Sequence, residues 1–184
     1  MRFLMVLALM ALPAQADDCV SGKATRVSYS DGHALTIIQR HGDDLTYTQP
    51  YDGGTDAVSK THLMLFPKEA RFGARMVENR WTSRLPNMKD LKPGYHFDIK
   101  GTMKSGQGDA VSYRNEGEVL RMEEVKVGTC SYPALVVAMN TYLSGELIIT
   151  STNYLSPELE ILLQSDVVLI SAGKRSSYKA LAVQ

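Results

Sequence analysis

The chain has 184 residues, with 20 basic and 20 acidic side chains and therefore no formal net charge, and 44% of it is hydrophobic. That is enough apolar material for one ordinary domain with a real core. The charge balance removes the electrostatic case for a nucleic-acid partner, and no cluster of Lys and Arg would hold an anionic membrane surface.

The N-terminus reads as an export signal. Arg2 precedes an apolar run from Phe3 to Leu12, Pro13 breaks it, and Ala14-Gln15-Ala16 places small residues one and three positions before a cut. This layout predicts a signal peptide over residues 1–16, cleaved between Ala16 and Asp17, and a single secreted β-rich domain over 17–184, released into a bacterial periplasm. The run is about half the roughly 20 residues a spanning helix needs. The best later candidate, 161–170, is interrupted by Asp166. No transmembrane anchor is expected. Cys19 follows Ala16-Asp17-Asp18, and two carboxylates do not suit bacterial lipidation, which prefers small apolar residues there.

Only two cysteines occur, Cys19 and Cys130. An oxidising compartment and an even count predict one disulfide between them. A redox-active pair is the alternative, but there is no Cys-x-x-Cys motif and no local cationic cluster to lower a thiol pKa.

The mature chain reads as mainly β: a curved antiparallel sheet (half-open barrel, roll or sandwich) built from hairpins and a C-terminal meander, with little helix. Residues 34–40 and 44–49 are rich in β-formers and flank the turn cluster His41-Gly42-Asp43, which predicts a hairpin. Pro50 to Asp56 is a loop by composition. Thr61 to Phe66 reads as a strand ended by Pro67. The stretch from Lys68 to Asn87 shows no sustained period and holds the only tryptophan, Trp81. Tyr95, Phe97 and Ile99 alternate with polar residues as in a half-buried strand.

The last third is clearest. Residues 118–127 predict a strand with Val119, Val125 and Val127 on one face. Residues 130–143 follow, apolar on both faces around Ala134–Met139 and therefore central. Strands over 147–154 and 161–170 complete a meander. Leu159 to Leu163 has helix-forming composition, but Val167 to Ile170 favours strand, and the strand reading is taken.

Two local patterns in this region carry a resemblance. Val125-Lys126-Val127-Gly128-Thr129-Cys130-Ser131-Tyr132 leads into the apolar strand, and Asn153-Tyr154-Leu155-Ser156-Pro157-Glu158-Leu159 opens the last one. Over roughly residues 118–170 this resembles β-rich domains of unknown function in Gram-negative envelope proteins. The chain departs from their pattern where no Pro-Ala precedes Gly128 and where Glu160 stands in place of the usual Gly. These are turn signatures, and they imply a fold rather than a chemistry.

Candidate chemistry is sparse. His33, His41, His62 and His96 show no His-x-His or His-x-x-x-His spacing. Adjacent strands could bring His62 and His96 to a carboxylate such as Asp98, as a metal site requires. Unrelated histidines are the simpler reading, so no metal is assigned. Glu116, Glu118, Glu123 and Glu124 allow a glycosidase-like pair, but read more simply as the exposed side of an edge strand. No nucleophile elbow or phosphate loop occurs, so no catalytic residue and no cofactor are assigned. The nine tyrosines and Trp81 could line an apolar pocket, or be ordinary sheet residues. The leading expectation is a non-enzymatic envelope module binding an apolar small molecule or an envelope component. A hydrolase of an envelope polymer and a purely structural envelope subunit are the alternatives. Oligomeric state has no signature in the sequence.

Overall fold

Alternating burial runs through the chain. Val27 and Tyr29 are buried with Ser28 less so, and Ala57, Ser59 and Thr61 are buried with Val58, Lys60 and His62 less so. Such segments hide one face and must close on themselves or pack on a second layer. Here they close. The computed structural model describes residues 19–51 and 54–184, and among them every strand is antiparallel to its neighbours. The strands are β1 (Arg26–Tyr29), β2 (Ala34–His41), β3 (Asp44–Pro50), β4 (Asp56–His62), β5 (Phe66–Phe72), β6 (Arg75–Trp81), β7 (His96–Ser105), β8 (Val111–Val127), β9 (Cys130–Leu143), β10 (Glu146–Ser156), β11 (Ile161–Leu169) and β12 (Lys174–Val183). Each pairs with the next in sequence, and β1 pairs with β12 to complete a barrel. The mainly β antiparallel sheet read from the sequence is therefore present, and its curvature goes all the way to closure. Among the described residues the only helical element is one 3-10 turn, Met88–Asp90.

Residues 1–16 and the expected cut at Ala16–Asp17 lie outside the described residues. Cys19 and Cys130 form a disulfide with Cα atoms 5.6 Å apart. It ties the start of the described chain to the tip of the long β8–β9 hairpin. That hairpin bends at an irregularity between Val119 and Arg121, where Leu120 is the extra residue. The bend splits the face predicted for β8. Val119 packs with Phe97, Leu135 and Val137, whereas Val125 and Val127 pack with Val27, Leu35 and Ile161 in a second cluster. β9 serves both, with Ala134 in one cluster and Leu135 and Val137 in the other, as its apolar run foretold.

Two expectations fail, both between 61 and 87. Thr61 to Phe66 is not one strand. β4 stops at His62, and Leu63 and Met64 turn the chain with φ of 54° and 55°. Such left-handed backbone costs leucine-like residues on the order of 1–3 kcal/mol. Burial offsets it, because Leu63 and Leu65 are 2% and 3% exposed and Phe66 is fully buried beside them. The stretch after Pro67, which showed no period, contains β5 and β6. Its alternation is masked because Lys68 bulges at the register shift between Lys60 and Thr61. The edge-strand reading of the glutamates holds for half of β8. Residues 111–119 are bonded on both sides, and 121–127 pair with β9 alone.

Glu160, the departure from the envelope-domain pattern, has φ of 55°, a conformation that suits the glycine usual there. Its carboxylate pairs with Arg40 and Lys23, each at 2.9 Å. These ion pairs give the residue a role that glycine lacks.

A polar notch in the barrel wall

The ladder between β5 and β6 is incomplete. β5 and β6 pair only from Glu69↔Glu78 to Phe72↔Arg75, while β6 goes on pairing with β7 as far as Trp81↔Gly101. Phe66, Pro67 and Lys68 on one side, and Asn79, Arg80 and Trp81 on the other, therefore have no ladder between them. Pro67 has no N–H to give, which favours the separation. Trp81 spans it by donating Nε1–H to the Pro67 carbonyl at 3.0 Å. Its ring packs edge-on against Phe66 and, tilted, against Tyr113. A notch of about 640 Å³ lies along this gap, lined by both strands, by the His41–Asp44 turn and by the strap that follows Trp81.

His62 fastens that strap. Its Nδ1 lies 2.6 Å from Asp44 Oδ1 and its Nε2 2.6 Å from the Pro86 carbonyl. Both partners are acceptors. A neutral imidazole offers one donor and one acceptor, so both contacts are hydrogen bonds only when both nitrogens carry hydrogens. Lys68 donates to the other oxygen of Asp44 at 2.6 Å. Burial opposes ionisation of Asp44, but the hydrogen bonds from Lys68 and His62 outweigh it and hold the carboxyl below its ordinary value. Asp43 accepts from the Met88 N–H at 3.1 Å and pins the strap a second time. Leu85, Met88 and Leu91 of the strap pack over Leu63, Phe66 and Phe97.

The remaining charges of the notch are also committed. Lys60 donates to Glu69 at 3.3 Å, and Arg80 donates to Glu78 at 2.9 Å. Asn79 differs. It is 9% exposed, lines the notch, and its Oδ1 has no hydrogen-bond partner. An unpaired buried acceptor costs about 1–3 kcal/mol.

The other sequence candidates do not converge. His62 lines the notch, whereas His96 and Asp98 line a separate groove. His96 lies 3.5 Å from Glu118, and Asp98 accepts from Arg114 at 2.7 Å. No group of three or more His, Cys, Asp or Glu residues suited to a metal ion occurs among the described residues. Glu116 accepts from Tyr142 and Arg114, Glu123 from Arg121, and Glu124 from Ser131. Tyr29, Tyr47 and Tyr178 are inward packing residues. Tyr29 is 2% exposed, donates to the Leu162 carbonyl at 2.8 Å and meets Tyr178 edge-on. Burial raises all three phenols above their ordinary pKa. Sequence reasoning missed the notch because much of its lining, from Lys68 to Asn87, comes from the stretch without period. The lone Trp81 in a polar setting was the available signal.

No protein-family profile and no curated protein matches the chain. Solved structures do. The hypothetical lipoprotein YmcC of Escherichia coli K12 superposes with a TM-score of 0.56 over 91% of this chain and 92% of its own, at 9% identity. A Bacteroides fragilis protein with YmcC-like fold matches with a TM-score of 0.46 over 90% of this chain and 100% of its own, at 12% identity. At 9% identity, the likeness to YmcC is one of fold.

Proposed function

We propose that this chain is an exported protein of the bacterial envelope that binds a small ligand or a partner group through the wall notch. The observation that carries the reading is Asn79. A buried amide oxygen without a partner, beside an aromatic ring and paired charges, suits a guest that brings a donor. The apolar ligand expected from the sequence fits less well, because the notch is polar and the inward tyrosines pack against their neighbours. Export is supported by the layout of residues 1–16 and by the disulfide, which an oxidising compartment sustains. The fold it shares with a protein described as a lipoprotein agrees with that setting.

Native mass spectrometry of the protein taken gently from periplasmic extract tests both halves. The expected species starts at Asp17, contains one disulfide and carries a small non-covalent adduct that Asn79→Leu abolishes. A full-length chain would contradict export, and a mature protein that is always empty would contradict the ligand reading.

A further inference from the structure

The chemistry of the notch narrows the class of guest. Four carboxylates line it, from Asp43, Asp44, Glu69 and Glu78, against two lysines, Lys60 and Lys68, and the rings of His41 and His62. Both lysines are already spent on acidic partners, Lys60 on Glu69 and Lys68 on Asp44, and Glu78 is met by Arg80. No lysine in the notch is left over to meet an anion. Asp43 receives only the Met88 backbone N–H, and a backbone amide neutralises no charge. With Arg80 against Glu78, Asp43 is the one lining carboxylate that has no cationic side chain against it among the described residues. A second and independent feature points the same way. The unpartnered buried polar atom of the lining, Asn79 Oδ1, is an acceptor and asks for a donor. The third is Trp81, the sole tryptophan, which lies on the notch wall. Its face attracts a cation, and its carbon surface accepts a short aliphatic chain. A hydrocarbon would leave Asn79 unpaired, and a carboxylate or phosphate would face Asp43 with no free lysine to hold it.

We infer that the notch receives a small cationic amine, an ammonium or guanidinium group on a short carbon chain, held between Asn79, the acidic lining and the Trp81 ring. The inference rests on the notch being a binding site and adds the chemical class of what it takes. Binding is electrostatic in part and so weakens as salt rises. Asn79 contributes a hydrogen bond to a charged donor, and its removal lowers affinity about tenfold or more. Asn79→Leu is well suited to show this, because deleting an unpaired buried acceptor does not take a contact from the fold.

Three probes of similar length separate the classes: agmatine, butane-1,4-diol and succinate. Each is titrated into the mature, disulfide-intact protein while the fluorescence of Trp81 is followed. The expected result is a saturable change with agmatine, at least about tenfold tighter than with the diol, absent with succinate and weakened by salt. Asn79→Leu and Glu69→Gln should each weaken agmatine, with a urea midpoint for Asn79→Leu that is unchanged or higher. Equal or tighter binding of the diol or succinate at Trp81 would overturn the cationic class and leave the notch standing as a site. An agmatine response that Asn79→Leu does not alter would overturn the placement. No response to any probe would overturn both the class and the notch reading.

Discussion

His62 holds the strap over the notch, and its replacement by phenylalanine isolates that role. The ring keeps its size and loses both ring-nitrogen contacts. The Pro86 residue is buried, so its carbonyl cannot turn to water and is left unsatisfied, at a cost of about 1–3 kcal/mol. Asp44 is 38% exposed at its side chain and keeps Lys68, so the loss on that side is discounted to roughly 0.5 kcal/mol. Together these give about 1.5–3.5 kcal/mol. Urea unfolding should show a midpoint lower by about 1 M at an unchanged slope, since slopes run about 1–3 kcal/mol per M. The Trp81 emission of the folded variant should shift, because the strap that follows it loses an anchor. A stability loss below about 0.5 kcal/mol with unchanged Trp81 emission would refute the reasoning, since an exposed side chain costs no more than that.

Other predictions follow from the same contacts. Removing the disulfide by Cys19→Ser with Cys130→Ser frees a loop spanning 111 positions, and the chain-entropy estimate for such a loop is about 4–5 kcal/mol. Calorimetry of the double variant checks it, and an unchanged melting temperature would contradict it. Tyr29, Tyr47 and Tyr178 have phenol pKa values raised by burial, so their contribution to stability is complete below the ordinary value of 10.0 and is lost as pH rises through their folded values. Ultraviolet titration should show these phenols ionising only with unfolding above that pH. Free titration near 10 in the folded state would contradict their burial. Gly117→Ala places a Cβ against the Ala138 carbonyl and the Phe97 ring, and should destabilise by at least about 2 kcal/mol, whereas the same change at a surface strand site is within about 0.5.

How much of this was legible depended on whether the signal was local. The C-terminal meander was readable because residues 118–170 combine β-formers with turn clusters at short spacing, and the strands lie next to one another in the order of the chain. The Cys19–Cys130 bond was readable because two cysteines allow one pairing. Closure was not readable, since it depends on β1 meeting β12 across almost the whole chain. The Leu63-Met64 turn was hidden for a physical reason. Its residues are apolar and carry no turn chemistry, and their positive φ is accompanied by burial of Leu63 and partial burial of Met64 in the core. Glu160 shows the converse. The sequence pattern marked it as standing in a glycine position, and the structure supplies the ion pairs that accompany the substitution. The notch escaped notice because it is made by a failure of pairing between β5 and β6, which no residue pattern announces.

The claim on which the functional reading turns is that ligands enter the wall between β5 and β6. Mapping ¹H–¹⁵N shifts of the mature protein during an agmatine titration tests it most directly. The account predicts saturable shifts concentrated at the Trp81 indole N–H, the Asn79 side-chain amide and the backbone of Lys68 and Glu69. Shifts centred instead on the groove of His96 and Gly117, or no saturable shift at any position, would contradict it.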